Sequence, residues 1–185
     1  MAQGVVRSRA SAVLRIGLIA GTLDITENIV FNAFRHITPT QIFQYIASGL
    51  TGPWAFHAGW ASVALGVAIH YAIALTWTAV YCMAALRWPL LVERPAICGL
   101  IYGGIVYLVM NLVVLPLTRV PHARAAITVA SRVSGVLALL FSFGLTVSLL
   151  VRRETCRPDE PASRTPPPVV QMWQLRAPRF SRYFW

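Results

Sequence analysis

"HAGWASVALGVAIHYAIALTWTAVYCMAAL", His57 to Leu86, runs for thirty residues without one Asp, Glu, Lys or Arg. A helix of about 20 apolar residues crosses a hydrocarbon core of ~30 Å. This run is longer, so a helix built on it tilts or emerges at one end. Trp60 and Trp88 stand near its two ends, where interfacial aromatics belong. A run of this kind defines a membrane span.

The rest of the chain agrees. Of 185 residues, 57% are hydrophobic and only 12% charged, with a mean hydropathy of +0.62. A soluble domain carries about 25% charge, so this chain cannot coat a globular surface. Three further apolar runs fall at about 12–34, 96–117 and 129–151. The expected fold is therefore all-α and polytopic, with four transmembrane helices in a domain spanning 12–153. Residues 1–11 form a short segment before it. Residues 154–185 form a Pro-rich, Arg- and aromatic-rich tail with the composition of a disordered segment. The first run follows Arg7, Arg9 and Arg15, as a secretory leader would. Asp24 interrupts it and no small-residue cleavage pattern follows, so it reads as a retained helix.

Between the first two spans lies "ITPTQIFQYIASGLTGPW", Ile37 to Trp54. Thr38 suits an N-cap, Pro39 the first helical position, and Gln41 completes a capping box. Gly49 is placed to end the helix. A helix over about 39–49 is too short to span and reads as lying in the outer interface.

The net charge is +10 and every cation is Arg. These Arg residues flank apolar runs, which suits anionic lipid headgroups rather than nucleic acid. With the N-terminus inside, Arg7, Arg9, Arg15, Arg87, Arg94, Arg152, Arg153 and Arg157 face the cytoplasm. Arg35, Arg119, Arg124 and Arg132 face outward. The bias predicts a multi-pass protein of a bacterial inner membrane with both termini cytoplasmic.

Inside a bilayer, close packing of small residues and interhelical hydrogen bonds hold helices together. Small or polar residues recur at four-residue steps in each span. Gly17 and Gly21 precede Asp24 and Asn28 in the first. Gly66 precedes His70 in the second, and Gly99 and Gly103 precede Tyr107 and Asn111 in the third. These glycines are the expected packing positions. Asp24 and His70 fall near the midplane, and Glu27, Asn28 and Asn111 lie further out. An acid at the midplane costs about 2.5–3.5 kcal/mol on insertion scales, so Asp24 is expected to face the bundle. Together the five form a candidate intramembrane polar cluster.

No catalytic residue is assigned, because no metalloprotease, serine-hydrolase or P-loop motif is present. Cys82, Cys98 and Cys156 lack CxxC spacing, which argues against a disulfide framework or a zinc site. His57 and His70 stand thirteen residues apart, a rotation of ~220°, so they cannot together grip a haem from one ideal helix. No cofactor or metal is expected.

Along "GLIAGTLD", "IASGLTGPWAFHAGWASVALGVAIHYAIAL" and "YGGIVYLVMNLVVLPL", the chain resembles a family of small bacterial inner-membrane proteins and, more distantly, the YagU-like inner-membrane family. The resemblance covers about Gly17 to Leu117. It implies a four-helix membrane protein and no particular reaction. Glu27 and the tail lie outside it. Three functions stay open from the sequence. One is small-solute or proton-linked transport through a homo-oligomer. A second is a structural or accessory role in which the polar residues only pack helices. The third, for which no motif speaks, is a membrane-embedded enzyme or cofactor carrier.

Overall fold

A computed structural model describes residues 2–120 and 129–155; the Pro-rich tail and Cys156 lie outside the described residues, as do residues 121–128 with His122 and Arg124. Among the described residues all regular structure is helical. Helix α1 is Ala2–Ala33, α2 is Pro39–Thr51, α3 is Gly59–Arg87 and α4 is the single turn Leu90–Glu93. Helix α5 is Pro95–Leu117 and α6 covers 129–155. Three helices are long and apolar enough to cross a membrane: α3, α5 and Arg132–Thr155 of α6. Helix α1 has the length, but its Arg, Asp and Glu residues lower its hydropathy.

The helix ends follow local chemistry. Helix α1 stops in a reversed turn, where the His36 N–H bonds Ala33 O at 3.0 Å and the Ile37 N–H bonds Asn32 O at 3.1 Å. This pattern satisfies two terminal carbonyls and needs one residue in the left-handed region. His36 takes it, with φ of 59°. Helix α2 begins as its sequence suggests. The Gln41 N–H bonds Thr38 Oγ1 at 3.3 Å, the Thr38 N–H bonds Gln41 Oε1 at 2.9 Å, and Pro39 sits at the start. It does not stop at Gly49. It runs on to Thr51, and Gly52, with φ of 67° and ψ of −154°, breaks it. Gly49 instead stays helical, and its carbonyl receives the Arg119 N–H at 3.0 Å. A 3₁₀ turn at Gly52–Phe56 then leads into α3.

Two helices change pitch. In α5, Met110–Val114 forms a π-type turn just before Pro116. Proline lacks an N–H and crowds the preceding turn, and the widened turn absorbs that conflict without ending the helix. In α6, Ala138–Leu145 is also π-helical. This stretch packs on α5 through glycines. A Cβ on Gly103 would collide with the Leu139 carbonyl, one on Gly99 with Ser148 Oγ, and one on Gly144 with the Gly99 carbonyl. The backbones meet there because no side chain stands between them.

The helices form an open ring. Helix α3 packs on α1, α1 on α6, and α6 on α5, while α2 flanks α3. Gly17 and Gly21 make the α1–α3 seam, since a Cβ on either would press on Leu75 or Ala74. Helices α3 and α5 meet chiefly through aromatics in one half of the bundle. Tyr102 Oη donates to Trp77 O at 2.5 Å, and the Tyr81 and Tyr102 rings stack edge-on at 4.9 Å. Tyr81 Oη donates to Leu91 O at 3.2 Å, which fastens α4 beneath them. Ile16, Ala20, Ala74, Tyr81, Phe143 and Val147 make a buried hydrophobic core across this level.

All five expected packing glycines are buried. The neighbour of Gly66 differs from expectation. It is not another long helix but α2, whose Phe43 backbone occupies the space a Cβ would need. Gly66 lies seven residues into α3, about 10 Å along it. Helix α2 thus runs beside the first third of α3.

Candidate functional site

Where α3 and α5 part, a cavity of about 580 Å³ opens. Helix α1 supplies Asp24 and Asn28, α3 supplies His70 and Trp77, α5 supplies Tyr107 and Asn111, and α6 supplies Arg132. Tyr45 of α2 and Thr118 lie at its rim, and aliphatic side chains make most of its wall. A mainly apolar cavity of this size with a few convergent polar groups is the usual form of a small-molecule site.

Each polar group is set by its neighbours. The His70 Nε2–H donates to the Gly21 carbonyl at 2.9 Å, since a carbonyl can only accept. That bond ties α3 to α1 one helical turn before Asp24. It also fixes the ring, which meets Tyr71 edge-on at 5.3 Å. Thr22 Oγ1 and Tyr71 Oη lie 2.9 Å apart in a second hydrogen bond across the same seam. Asn28 accepts from Asn32 Nδ2 at its carbonyl, 2.9 Å, and at Oδ1, 3.1 Å. Asn111 Nδ2 turns back to Tyr107 O of its own helix at 2.9 Å, inside the π-type turn. Asp24 is half-buried and takes no hydrogen bond or ion pair from a described residue.

Four of the five cluster residues therefore share one cavity: Asp24, Asn28, His70 and Asn111. Glu27 does not line it. Three residues rotate a helix by ~300°, and Glu27 faces the α1–α6 seam. There Ser134 Oγ donates to Glu27 Oε1 at 3.1 Å, while Oε2 is buried without a partner among the described residues. Arg132 was not expected in the cavity. In sequence it reads as a flanking cation, and nothing local shows that the first turns of α6 turn it toward α1. Tyr45 and Trp77 likewise carry no sequence signal beyond interfacial or apolar character.

A second cavity, about 550 Å³, lies at the other end of the bundle between Val13 and Ile16 of α1, Cys82 and Met83 of α3, and Val151 and Glu154 of α6. At its edge Arg15 Nη2 meets Glu154 Oε1 at 3.2 Å. On α1 the two cavities stop at Ile16 and Asp24, eight residues or about 12 Å apart. The buried hydrophobic core lies between them. Among the described residues no group of His, Cys, Asp and Glu could hold a metal ion.

Fold and site together define a protein whose described residues are helical, with three helices long and apolar enough to cross a membrane and a partly polar cavity. Comparison of the chain with protein-family models, with curated proteins and with solved structures found no match. The resemblance to small inner-membrane proteins rests on the quoted residues alone.

Proposed function

We propose that this is a four-span inner-membrane protein that moves a small solute, coupled to protons, through its polar cavity, working as a homo-oligomer. In this reading α1 is the fourth span, its charges turned toward partners rather than lipid. Helix α2 lies at the outer interface, where Trp54 is 60% exposed and Trp60 78%, as aromatics at a membrane surface are. Trp88, 62% exposed, marks the opposite surface. The Arg distribution puts both termini in the cytoplasm, so the cavity holding Asp24 opens outward.

One observation carries the transport reading. Asp24 of α1 lines a cavity beside His70, Asn28 and Asn111 and takes no hydrogen bond or ion pair from a described residue. Intramembrane acids of this kind mark ion and proton paths. A pure packing role calls for paired polar groups, and Asp24 has no hydrogen-bonded pair among the described residues. The ring is open between α3 and α5, so a second copy would be needed to complete the wall. The test is reconstitution into liposomes with a trapped pH-sensitive dye. An imposed pH gradient should drive a proton flux that Asp24→Asn abolishes while helix content and elution profile stay unchanged. Equal flux from the native protein and this variant would reject the proposal.

A structural role has its own support. His70, Asn28 and Asn111 all make hydrogen bonds within or between helices, as packing residues do. That reading expects no flux from either protein and a loss of stability in His70→Ala.

A further inference from the structure

The transport reading leaves the solute open, and two charges in the cavity narrow it. Asp24 and Arg132 both line it, and neither joins an ion pair among the described residues. Their spacing follows from the register of α1 against α6. The helices run antiparallel, because Arg15 meets Glu154 and Glu27 meets Ser134. Asp24 lies three residues inward of Glu27, and Arg132 lies two residues outward of Ser134. Counted from the Glu27–Ser134 contact at 1.5 Å per residue, the two backbone levels differ by about 7–8 Å. The anion thus sits deeper and the cation nearer the mouth. Between and around them the wall is apolar: Ile69, Ile73, Val106, Leu139 and Phe143, with Trp77.

A charge carried into an apolar cavity must be paired, or its desolvation outweighs its attractions. An amine alone would satisfy Asp24 and bring a second positive charge toward Arg132. An acid alone would do the reverse. A molecule carrying both charges on an apolar body pairs each and leaves the cavity neutral. We infer that the solute is a zwitterion with an apolar body, its ammonium on Asp24 and its acid group on Arg132. Two sources share that chemistry: a free apolar amino acid, and the ethanolamine headgroup of a membrane phospholipid. The inference rests on the cavity being a transport site, and its test separates the two claims.

Binding is measured by calorimetry on the native protein in detergent. One arm compares phenylalanine with phenethylamine and 3-phenylpropionate. The other compares dihexanoyl phosphatidylethanolamine with dihexanoyl phosphatidylglycerol. A charge-assisted hydrogen bond to a fixed ion is worth about tenfold or more in affinity. Phenylalanine binding at least about tenfold more tightly than both single-charge analogues supports the inference with a free solute. The same preference for the ethanolamine lipid supports it with a lipid source. Arg132→Gln should then lower zwitterion affinity by about tenfold or more and leave amine binding equal or tighter, because the positive charge that opposes the amine is gone. Asp24→Asn should weaken both. Phenethylamine binding as well as phenylalanine, no selectivity in either arm, or zwitterion binding untouched by Arg132→Gln would overturn it. A proton flux sensitive to Asp24→Asn without zwitterion preference keeps the transport reading and rejects this one; zwitterion binding without flux does the opposite.

Discussion

His36 and Gly52 occupy the same kind of backbone position with opposite suitability. A left-handed residue costs a non-glycine side chain roughly 1–2 kcal/mol, because Cβ crowds the following carbonyl. His36, at φ of 59°, bears that cost at the end of α1. His36→Gly should therefore stabilise the protein by about 1 kcal/mol, seen as a higher midpoint in detergent denaturation. Gly52 combines φ of 67° with ψ of −154°, a region open almost only to glycine, where strain runs to about 1–3 kcal/mol. Gly52→Ala should lower the same midpoint by that amount. If the two substitutions shift it in the same direction, the reading of these turns is wrong. At this scale the sequence was partly legible. Thr38, Pro39 and Gln41 announced the start of α2, because capping depends on adjacent residues. The stop was misplaced at Gly49. Gly49 and Gly52 stand three residues apart before Pro53, and what distinguishes them is a contact distant in sequence, the Arg119 N–H on the carbonyl of the helical Gly49.

Helix pairing here depends on missing side chains, and two neighbouring glycines supply the test. Gly103 faces the π-type stretch of α6, where a Cβ would strike the Leu139 carbonyl. Gly104 faces open space, with nothing within 4 Å. Overpacking a tight contact costs about 1–3 kcal/mol, whereas alanine gains up to ~1 kcal/mol over glycine in a helix. Gly103→Ala should thus destabilise the purified protein and Gly104→Ala should leave it equal or better, measured by thermal loss of monodispersity. The same logic makes Gly66→Leu far more damaging than Val67→Leu, because the Phe43 backbone lies against Gly66 and cannot retreat. Equal effects within either pair would remove the close-packing argument. The four-residue stripes were legible, since small residues at helical spacing have few other uses in lipid. Their partners were not. A stripe says that something approaches, and the sequence does not tell α2 from a long helix. Neither π-type segment was foreseen. Pro116 hinted at a local irregularity in α5, and α6 has no comparable signal.

Across the whole molecule, the apolar runs showed three helices long and apolar enough to cross a membrane, and the acid within the first run pointed to Asp24. The gathering of Asp24, Asn28 and His70 follows from one face of α1 meeting the α3 stripe, which spacing alone conveys. The separation of Glu27 from that group also follows from helical rotation. Arg132 entered the cavity unannounced, because its place depends on how α6 crosses α1, and no local pattern carries a crossing angle. The arrangement that results is two cavities on either side of a buried hydrophobic core, and accessibility can test it. Asn28 lines the first cavity, Cys82 the second, and Ala20 is fully buried between them. In a background with Cys98 and Cys156 replaced by Ser, one cysteine is studied at a time: native Cys82, or Asn28→Cys or Ala20→Cys with Cys82 also replaced. Thiol reagents attack the thiolate, which an apolar setting disfavours, so labelling is run at mildly alkaline pH with a membrane-impermeant reagent. Asn28→Cys should react from one face of sealed vesicles only, Cys82 from the opposite face only, and Ala20→Cys from neither. In the proposed orientation Asn28→Cys should label from the outside and Cys82 from the cytoplasm. Reaction of both from one face would mean the cavities open to the same side, and the two-sided path would be lost. Ready labelling of Ala20→Cys would mean that the core does not seal. Reversed faces with the same pattern would keep the path and overturn the orientation, because only the charge count fixes which way the ring points.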